Sequence, residues 1–208
     1  MDSFLKRALK VTKLGIGNTA KGFIIKRRYR ALQREYGFAE WHIAPLEHRR
    51  YAVNMSRLIA DRLEDGDVVV DIGCGLGDVM RKLYDTASAR ASYYGFDLDE
   101  GAIAAAKHLN AKRDISFACG SFGDVQNHVN GTVDWLFAIN FLHCVEKEPA
   151  AEFFMQAASA NLVRHIVVDV VPYGVEHDFQ TVLPSEYRLE YTSEPYEGGR
   201  VIQIFTRS

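Results

Sequence analysis

The residues most able to do chemistry lie in a short stretch in the first half of the chain. There an apolar run ends in Asp71 and breaks into alternating glycines, after which apolar residues recur at helical spacing. The glycines are Gly73, Gly75 and Gly77. This pattern predicts a strand, a tight turn and a helix. Because glycine adopts positive φ and has no Cβ, the turn can bend sharply and its backbone can lie against a ligand.

The charges beside this turn favour a cationic ligand over a pyrophosphate. In a dinucleotide site the pyrophosphate sits at the helix N-terminus, where free N–H groups and the helix dipole favour an anion. Here Asp78 occupies that N-terminus, and Asp71 closes the strand before the glycines. Two carboxylates would repel a pyrophosphate and attract a cation. The sequence therefore argues against a nicotinamide oxidoreductase.

The motif Asp71-x-Gly73-x-Gly75-x-Gly77 resembles the first motif of the class I S-adenosylmethionine-dependent methyltransferases. The resemblance covers residues 65–145 by motifs and the rest of the chain by strand pattern only. It implies S-adenosyl-L-methionine as the cofactor, whose sulfonium and ammonium suit an acidic pocket. The residues that it assigns to the cofactor at this turn are Asp71, Gly73, Cys74 and Gly75.

A second acid, Asp97, closes the next predicted strand, Ser92–Asp97. In nucleoside-binding folds an acid at this position accepts hydrogen bonds from the ribose hydroxyls. Leu98 then follows as an apolar contact for the adenine face. Asp99 is the other candidate for the ribose, but its position just before a predicted helix is more typical of an N-cap.

The turn after the third predicted strand holds Ser121 and Phe122. Relatives commonly have Gly-Asp here, and their aspartate accepts a hydrogen bond from the adenine amino group. The resemblance therefore assigns Ser121 and Phe122 to the adenine. A serine hydroxyl accepts this bond more weakly than a carboxylate does.

The segment Asn140–His143 follows the fourth predicted strand, Val133–Ile139. It resembles the family's fourth-strand segment, which implies that Asn140 contacts the cofactor and that His143 lies near the transferred methyl group. The leaving thioether needs no acid, so positioning does most of the work, while a hydroxyl or amine acceptor can require a base. His143 is the best-placed base, although an imidazole hydrogen-bonded into the local turn is an equal interpretation. Weaker candidates are His177, Tyr173 and His42.

The order of predicted elements indicates an α/β protein with a Rossmann-like, seven-stranded, mostly parallel sheet. Strands alternate with helical patterns as far as the fifth strand, and two further strands flank Glu197-Gly-Gly as in a hairpin. The resemblance implies that the last strand is antiparallel and that helices cover both faces. A chain of 208 residues is long enough for one domain with an extension. We expect a basic and aromatic N-terminal extension over 1–45 and the methyltransferase domain over 46–208.

The N-terminal extension is strongly basic. Residues 1–30 hold nine Lys or Arg against one acid, a local balance of +8 that leaves −10 for the remainder of a chain with net charge −2. The amphipathic pattern over 4–13 predicts a helix that either lies on an anionic membrane surface or packs on its own domain. The glycine-rich segment 14–22 predicts a flexible joint. The aromatic segment 29–45 either forms a lid or packs beneath the N-terminal helix.

Composition and charge limit the cellular compartment and the partners that we expect for this protein. A hydrophobic content of 48% and a charged content of 25% are ordinary for a soluble globular protein. The three cysteines have no paired spacing, which favours a reducing cytosol, and no apolar stretch has the length of a membrane span. We expect a cytoplasmic protein, either free or peripheral on the inner face of the membrane through residues 1–30, without a metal site.

These features predict an S-adenosylmethionine-dependent methyltransferase that acts on a small-molecule or lipid-linked metabolite. The acidic body argues against nucleic acid as the main partner, because phosphate binding needs a basic surface. The segment after the fourth strand also lacks the Asn/Asp-Pro-Pro-aromatic motif of nucleic-acid amino methyltransferases. The alternative is a non-catalytic cofactor-binding module that docks to a partner or a membrane. No residue pattern indicates the oligomeric state.

Overall fold

A computed structural model of the protein describes residues 16–161 and 163–208. Within them seven strands form one mixed sheet. The strands are β1 (Val68–Ile72), β2 (Ser92–Asp97), β3 (Ile115–Cys119), β4 (Trp135–Ala138), β5 (His165–Val170), β6 (Tyr187–Thr192) and β7 (Val201–Arg207). Their order is β3-β2-β1-β4-β5-β7-β6, and β7 runs antiparallel to both of its neighbours while the other pairs are parallel. The prediction of a Rossmann-like, mostly parallel sheet is confirmed.

Six α-helices accompany the strands in the described residues. They are α1 (Ile16–Tyr36), α2 (Arg50–Ala60), α3 (Asp78–Thr86), α4 (Glu100–Leu109), α5 (Lys147–Asn161) and α6 (Phe179–Val182). Short 3-10 turns at Glu40–His42, Leu46–His48, Phe122–Asn127, Leu142–Cys144 and Glu197–Gly199 join several of them. No described helix has the length and hydropathy that crossing a bilayer requires.

Helices cover both faces of the sheet, as strands buried on two sides require. One face packs Leu136, Ile166 and Phe205 against α5 and α6 through Phe154 and Phe179. The opposite face packs against α2 and α3, and the residues of that core include Met55, Ile59, Met80, Leu83, Phe137 and Val167. Because side chains alternate along a strand, each strand contributes to both cores.

The helix α1 overturns the expected joint over 14–22, because it begins at Ile16 and continues without a break to Tyr36. Gly22 is a packing residue: a Cβ there would lie 1.9 Å from Nε2 of His48. The buried side of α1 packs on α4 through Tyr29 and Leu32. The amphipathic pattern over 4–13 lies outside the described residues. Residues between Gly22 and Ile43 thus pack on the body, and the domain boundary at 45 stays a prediction.

A buried ionic cluster fixes α1 to the start of α3. The Tyr29 hydroxyl donates to Oδ1 of Asp78, and Arg81 pairs with the same oxygen. Arg49 donates to Oδ2 of Asp78 at 3.1 Å, and Arg81 reaches the Tyr29 hydroxyl at 3.1 Å. Asp78 is almost fully buried, so its charge is compensated by these donors and is not presented to a ligand. Asp78 therefore does not provide the carboxylate that we expected to face the ligand.

Removing Asp78 tests this cluster. Asp78→Asn leaves Arg49 and Arg81 half-buried without their anion, and we expect it to lower the free energy of unfolding by about 3 kcal/mol. Tyr29→Phe removes the hydrogen bond that the hydroxyl donates to Asp78 and the one that it accepts from Arg81, and it should cost about 1–3 kcal/mol. Urea denaturation measures both changes. The matched control is Asp85→Asn in the same helix, whose exposed pair with Arg113 should contribute less than about 1 kcal/mol. Equal losses for Asp78→Asn and Asp85→Asn would contradict the assignment.

Candidate cofactor and acceptor site

The candidate site lies at the carboxyl edge of the parallel strands. The strand order reverses between β1 and β4, so the loops that follow these two strands diverge and leave a crevice at that edge. Open α/β sheets bind ligands in such a crevice. The turn after β1, the end of β2 and the turn after β4 meet there, and they carry most of the residues that the sequence singles out.

The glycine turn follows β1 directly and is fixed to β2. Gly73, Gly75 and Gly77 have φ of 71°, 54° and 70°, a region that disfavours side chains. The Gly73 N–H donates to the Phe96 carbonyl at 2.8 Å, and the Gly75 N–H donates to Oδ2 of Asp97 at 2.8 Å. These bonds hold the turn against the end of the neighbouring strand. The strand–turn–helix predicted from the glycine spacing is therefore present.

Two acids, Asp71 and Asp97, flank this turn from β1 and β2. Asp71 is buried, and its Oδ1 has no hydrogen-bond partner among the described residues. Burial and the nearby charge of Asp97 raise the pKa of Asp71 to about 8, while Arg49 opposes the shift. Oδ1 of Asp97 accepts a hydrogen bond from the Asp99 N–H at 3.0 Å. The turn is therefore bordered by two carboxyl groups, and the one without a donor, Asp71, keeps its proton up to about pH 8.

The other predicted cofactor residues differ in whether their side chains are buried or exposed. The side chain of Cys74 packs in a core cluster with Ile103 and Phe117, so that only its backbone belongs to the turn. Phe122 is likewise buried, against Phe153. Leu98 is 77% exposed at the end of β2.

Ser121 is exposed and begins the 3-10 turn Phe122–Asn127. Its hydroxyl and its backbone N–H both bond Oδ2 of Asp124, at 3.2 and 2.8 Å, in a capping box. The sequence analysis did not anticipate this cap, although a Ser followed three residues later by an acid is a pattern that indicates it.

The segment after α1 folds over the glycine turn. A Cβ at Gly75 would lie 2.8 Å from Nδ1 of His42, and a Cβ at Gly73 would lie 2.8 Å from the Phe141 ring. The Ala39 N–H donates to Oδ2 of Asp99 at 2.9 Å, and the His42 ring lies 3.4 Å from that oxygen. The other oxygen of Asp99 accepts from the Ala102 N–H at 3.0 Å, which confirms the predicted N-cap.

The aromatic residues of the segment 29–45 lie in different environments. Tyr29, on the buried side of α1, and Phe38 are buried in one core cluster, whereas His42 lies over the turn. A lid formed by this segment stays a prediction. Trp41 is mostly exposed and stacks at an angle on His42.

The end of β4 carries a strained residue. Asn140 has φ of 67°, the positive φ that the described non-glycine residues show nowhere else. Its N–H donates to Oδ1 of Asp169 at 2.8 Å, and its side chain accepts from the Tyr51 hydroxyl at 3.2 Å. Such strain persists only where the surroundings impose it, and it concentrates at functional sites. The structure thus holds Asn140 in a defined position at the crevice.

Asp169 and Arg200 form a buried ion pair next to Asn140. Burial raises the pKa of Asp169, although Arg200 and the Asn140 N–H oppose the shift. Arg200 also donates to the Tyr173 hydroxyl at 2.7 Å, and its guanidinium lies 4.3 Å from the centre of the Tyr51 ring. The sequence analysis did not identify this group. The available signal was an acid at a strand end, and nothing in the sequence pairs it with Arg200.

His143 lies on the 3-10 turn Leu142–Cys144, beside this ion pair. Its ring meets the Tyr173 ring edge-on at 5.3 Å, and its buried Nδ1 has no hydrogen-bond partner among the described residues. A small cleft is lined by His143, Asp169 and His177. Nε2 of His177 lies 2.9 Å from the Leu142 carbonyl and 3.0 Å from the Val145 carbonyl. His177 thus acts as the local structural histidine.

Comparisons with known proteins agree with this geometry. Residues 69–162 match the family model described as methyltransferase domain. The fold resembles that of magnesium protoporphyrin IX methyltransferase from Synechocystis with bound S-adenosylmethionine, at 18% identity and a TM-score of 0.66, covering 92% of this chain and 97% of that chain. A search of curated proteins finds no match.

Other solved structures share the fold at lower identity. The N-methyltransferase NodS from Bradyrhizobium japonicum is 13% identical with a TM-score of 0.60, covering 76% of this chain and 96% of that chain. The PH0226 protein from Pyrococcus horikoshii is 13% identical with a TM-score of 0.61, covering 78% and 92%. Residues 69–162 thus carry a methyltransferase domain, and the chain shares the fold of solved S-adenosylmethionine-dependent methyltransferases.

Proposed function

We propose that the protein methylates a small-molecule acceptor, either free or lipid-linked, in the crevice at the carboxyl edge of the sheet. The observation that carries the proposal is the pair of acids around the glycine turn, one of which keeps a buried oxygen without a donor. A buried polar atom left unpaired costs about 1–3 kcal/mol. A cationic ligand at this place would compensate that cost, and S-adenosylmethionine carries two positive groups.

The residues present fit this cofactor. It supplies an electrophilic methyl group on a sulfonium when bound. The residues proposed to hold it are Asp71, Gly73, Cys74, Gly75, Asp97, Leu98, Ser121, Phe122 and Asn140. Cys74 and Phe122 would contribute backbone groups, since their side chains belong to the core. Asp97 keeps acceptor capacity beyond its two backbone bonds, because a carboxylate offers about four lone-pair sites.

The acceptor side of the crevice is proposed to consist of Asn140, His143 and the aromatic residues around Arg200. His143 would accept the proton of a hydroxyl or amine acceptor. An ionised Asp169 nearby favours the imidazolium that this transfer creates, because opposite charges stabilise each other in a desolvated site. The Tyr173 ring restricts the rotation of His143. Orientation by these residues accounts for most of the catalysis, because holding the acceptor in place lowers the activation free energy by several kcal/mol.

Cofactor affinity tests the ribose assignment. Asp97→Ala should weaken binding of S-adenosylhomocysteine by about 1.5–3 kcal/mol, because a charged acceptor of hydroxyl bonds is lost. Calorimetry measures the dissociation constants, with Asp114→Ala as the exposed-acid control and NAD as the competing ligand. An Asp97→Ala dissociation constant equal to that of the unmodified protein contradicts the assignment. Binding of NAD in place of S-adenosylhomocysteine would refute the cofactor site.

The pH dependence of the same binding tests Asp71. A bound ammonium favours the ionised carboxylate, so binding lowers the Asp71 pKa from about 8 and releases a proton. Affinity should therefore rise with pH by up to about tenfold per unit below pH 8 and level off above it. Calorimetry in two buffers of different ionisation enthalpy counts the protons. Asp71→Asn should abolish the proton release, and Asp114→Asn should leave it unchanged. Proton release that survives Asp71→Asn would assign the titration to another group.

Turnover tests His143. On an acceptor identified from a panel of hydroxyl and amine metabolites, His143→Gln should lower kcat by about 10²- to 10⁴-fold, as expected for loss of a general base. Binding of S-adenosylhomocysteine should not change. His128→Gln, which alters the exposed histidine that follows the 3-10 turn Phe122–Asn127, is the matched control. Unchanged kcat in His143→Gln would show that positioning suffices. Tight cofactor binding without turnover across the panel would favour a non-catalytic binding module.

A further inference from the structure

The helix α1 has a buried side and an opposite side that is largely exposed. Tyr29 and Leu32 are buried against α4, with Ile25 and Tyr36 packed beside them. On the opposite side Phe23 and Ile24 are 60% and 72% exposed. Large apolar side chains that lie together on an exposed surface mark an interaction site.

Positive charge surrounds these two apolar residues. The basic residues of α1 are Lys21, Lys26, Arg27, Arg28, Arg30 and Arg34, and its acid is Glu35. Phe23, Arg27, Arg30 and Arg34 follow one another at spacings of four, three and four, which places them on one face of a helix. Among the described residues, no ion pair neutralises these three arginines. We define the outer face of α1 as Phe23, Ile24, Arg27, Arg30 and Arg34.

We infer that the outer face of α1 docks the protein on an anionic lipid bilayer. Arginines near such a surface are attracted by the anionic headgroups. Phe23 and Ile24 would enter the boundary between headgroups and acyl chains, where an amphipathic helix buries its apolar side chains. A nucleic acid matches this face less well, because an aliphatic Ile24 neither stacks on bases nor donates hydrogen bonds.

Docking through this face would also set the position of the site. Tyr29, on the buried side of α1, donates to Asp78, and Asp78 begins the helix that follows the glycine turn. The centre of the Phe23 ring lies 6.5 Å from the centre of the His48 ring. His48 lies in the segment that connects His42, which lies over the glycine turn, to α2. A bilayer that holds α1 would therefore hold the crevice at a fixed height above the headgroups. This placement suits the lipid-linked form of the proposed acceptor, on which this part of the inference rests.

Vesicle sedimentation of the full chain tests the inference. We expect the protein to sediment with vesicles of phosphatidylcholine mixed with phosphatidylglycerol and to remain in solution with phosphatidylcholine alone. Phe23→Gln with Ile24→Gln, and separately Arg27→Gln with Arg30→Gln and Arg34→Gln, should each reduce the partition coefficient by at least about tenfold. The matched controls are Met155→Gln, for an exposed apolar residue, and Arg57→Gln with Lys112→Gln and Arg188→Gln, for the same loss of charge on other surfaces.

Calorimetry with S-adenosylhomocysteine on every variant separates docking from the proposed function. Unchanged affinity shows that the α1 variants are folded and that their loss of sedimentation is a loss of docking. An unmodified protein that never sediments overturns the inference, and so do α1 variants that sediment like the controls, since residues 1–15 would then suffice. Retarded migration of a single-stranded oligonucleotide, lost in the arginine variant while vesicles are not bound, would assign the face to nucleic acid instead.

Discussion

The hydrogen bond from the Gly75 N–H to the Asp97 carboxylate is the interaction on which the site depends. It joins the turn after β1 to the end of β2, and it does so at a place where glycine alone adopts the backbone without strain. The same carboxylate raises the pKa of Asp71, because two acids that share a desolvated edge cannot both ionise freely. The Asp97 carboxylate therefore affects both the conformation of the turn and the protonation of Asp71.

The preference for a cation has a different origin from the one that the residue types suggest. Asp78 lies at the helix N-terminus as expected, but Arg49, Arg81 and the Tyr29 hydroxyl compensate its charge. The acids that border the turn are instead Asp97 and Asp71, and Asp71 adds its charge only when it loses the proton that it holds up to about pH 8. A sequence shows which acids border a turn, but the net field depends on donors from distant segments, and two of these three donors precede β1.

Local patterns were predictable from the sequence, and long-range pairings were not. The strand Ser92–Asp97 and the N-cap Asp99 follow from apolar runs and neighbouring residue types, so they were predicted with their bounds. The continuous helix α1 was missed because Gly17 and Gly22 read as breakers, whereas Gly22 makes room for the His48 ring. The placement of His42 over Gly75 depends on how the segment after α1 folds back, which no local pattern encodes.

The antiparallel β7 explains why a buried ion pair lies at the proposed acceptor side of the crevice. If β7 ran parallel to β5, the residue before it would lie at the opposite edge of the sheet, a strand length from Asp169. Because β7 is reversed, Arg200 lies at the carboxyl edge of β5, where it pairs with Asp169. Asp169 also binds the N–H of Asn140, and Arg200 reaches Tyr173 and Tyr51. The direction of one edge strand thus connects the strained residue at the end of β4 to the aromatic side chains around it.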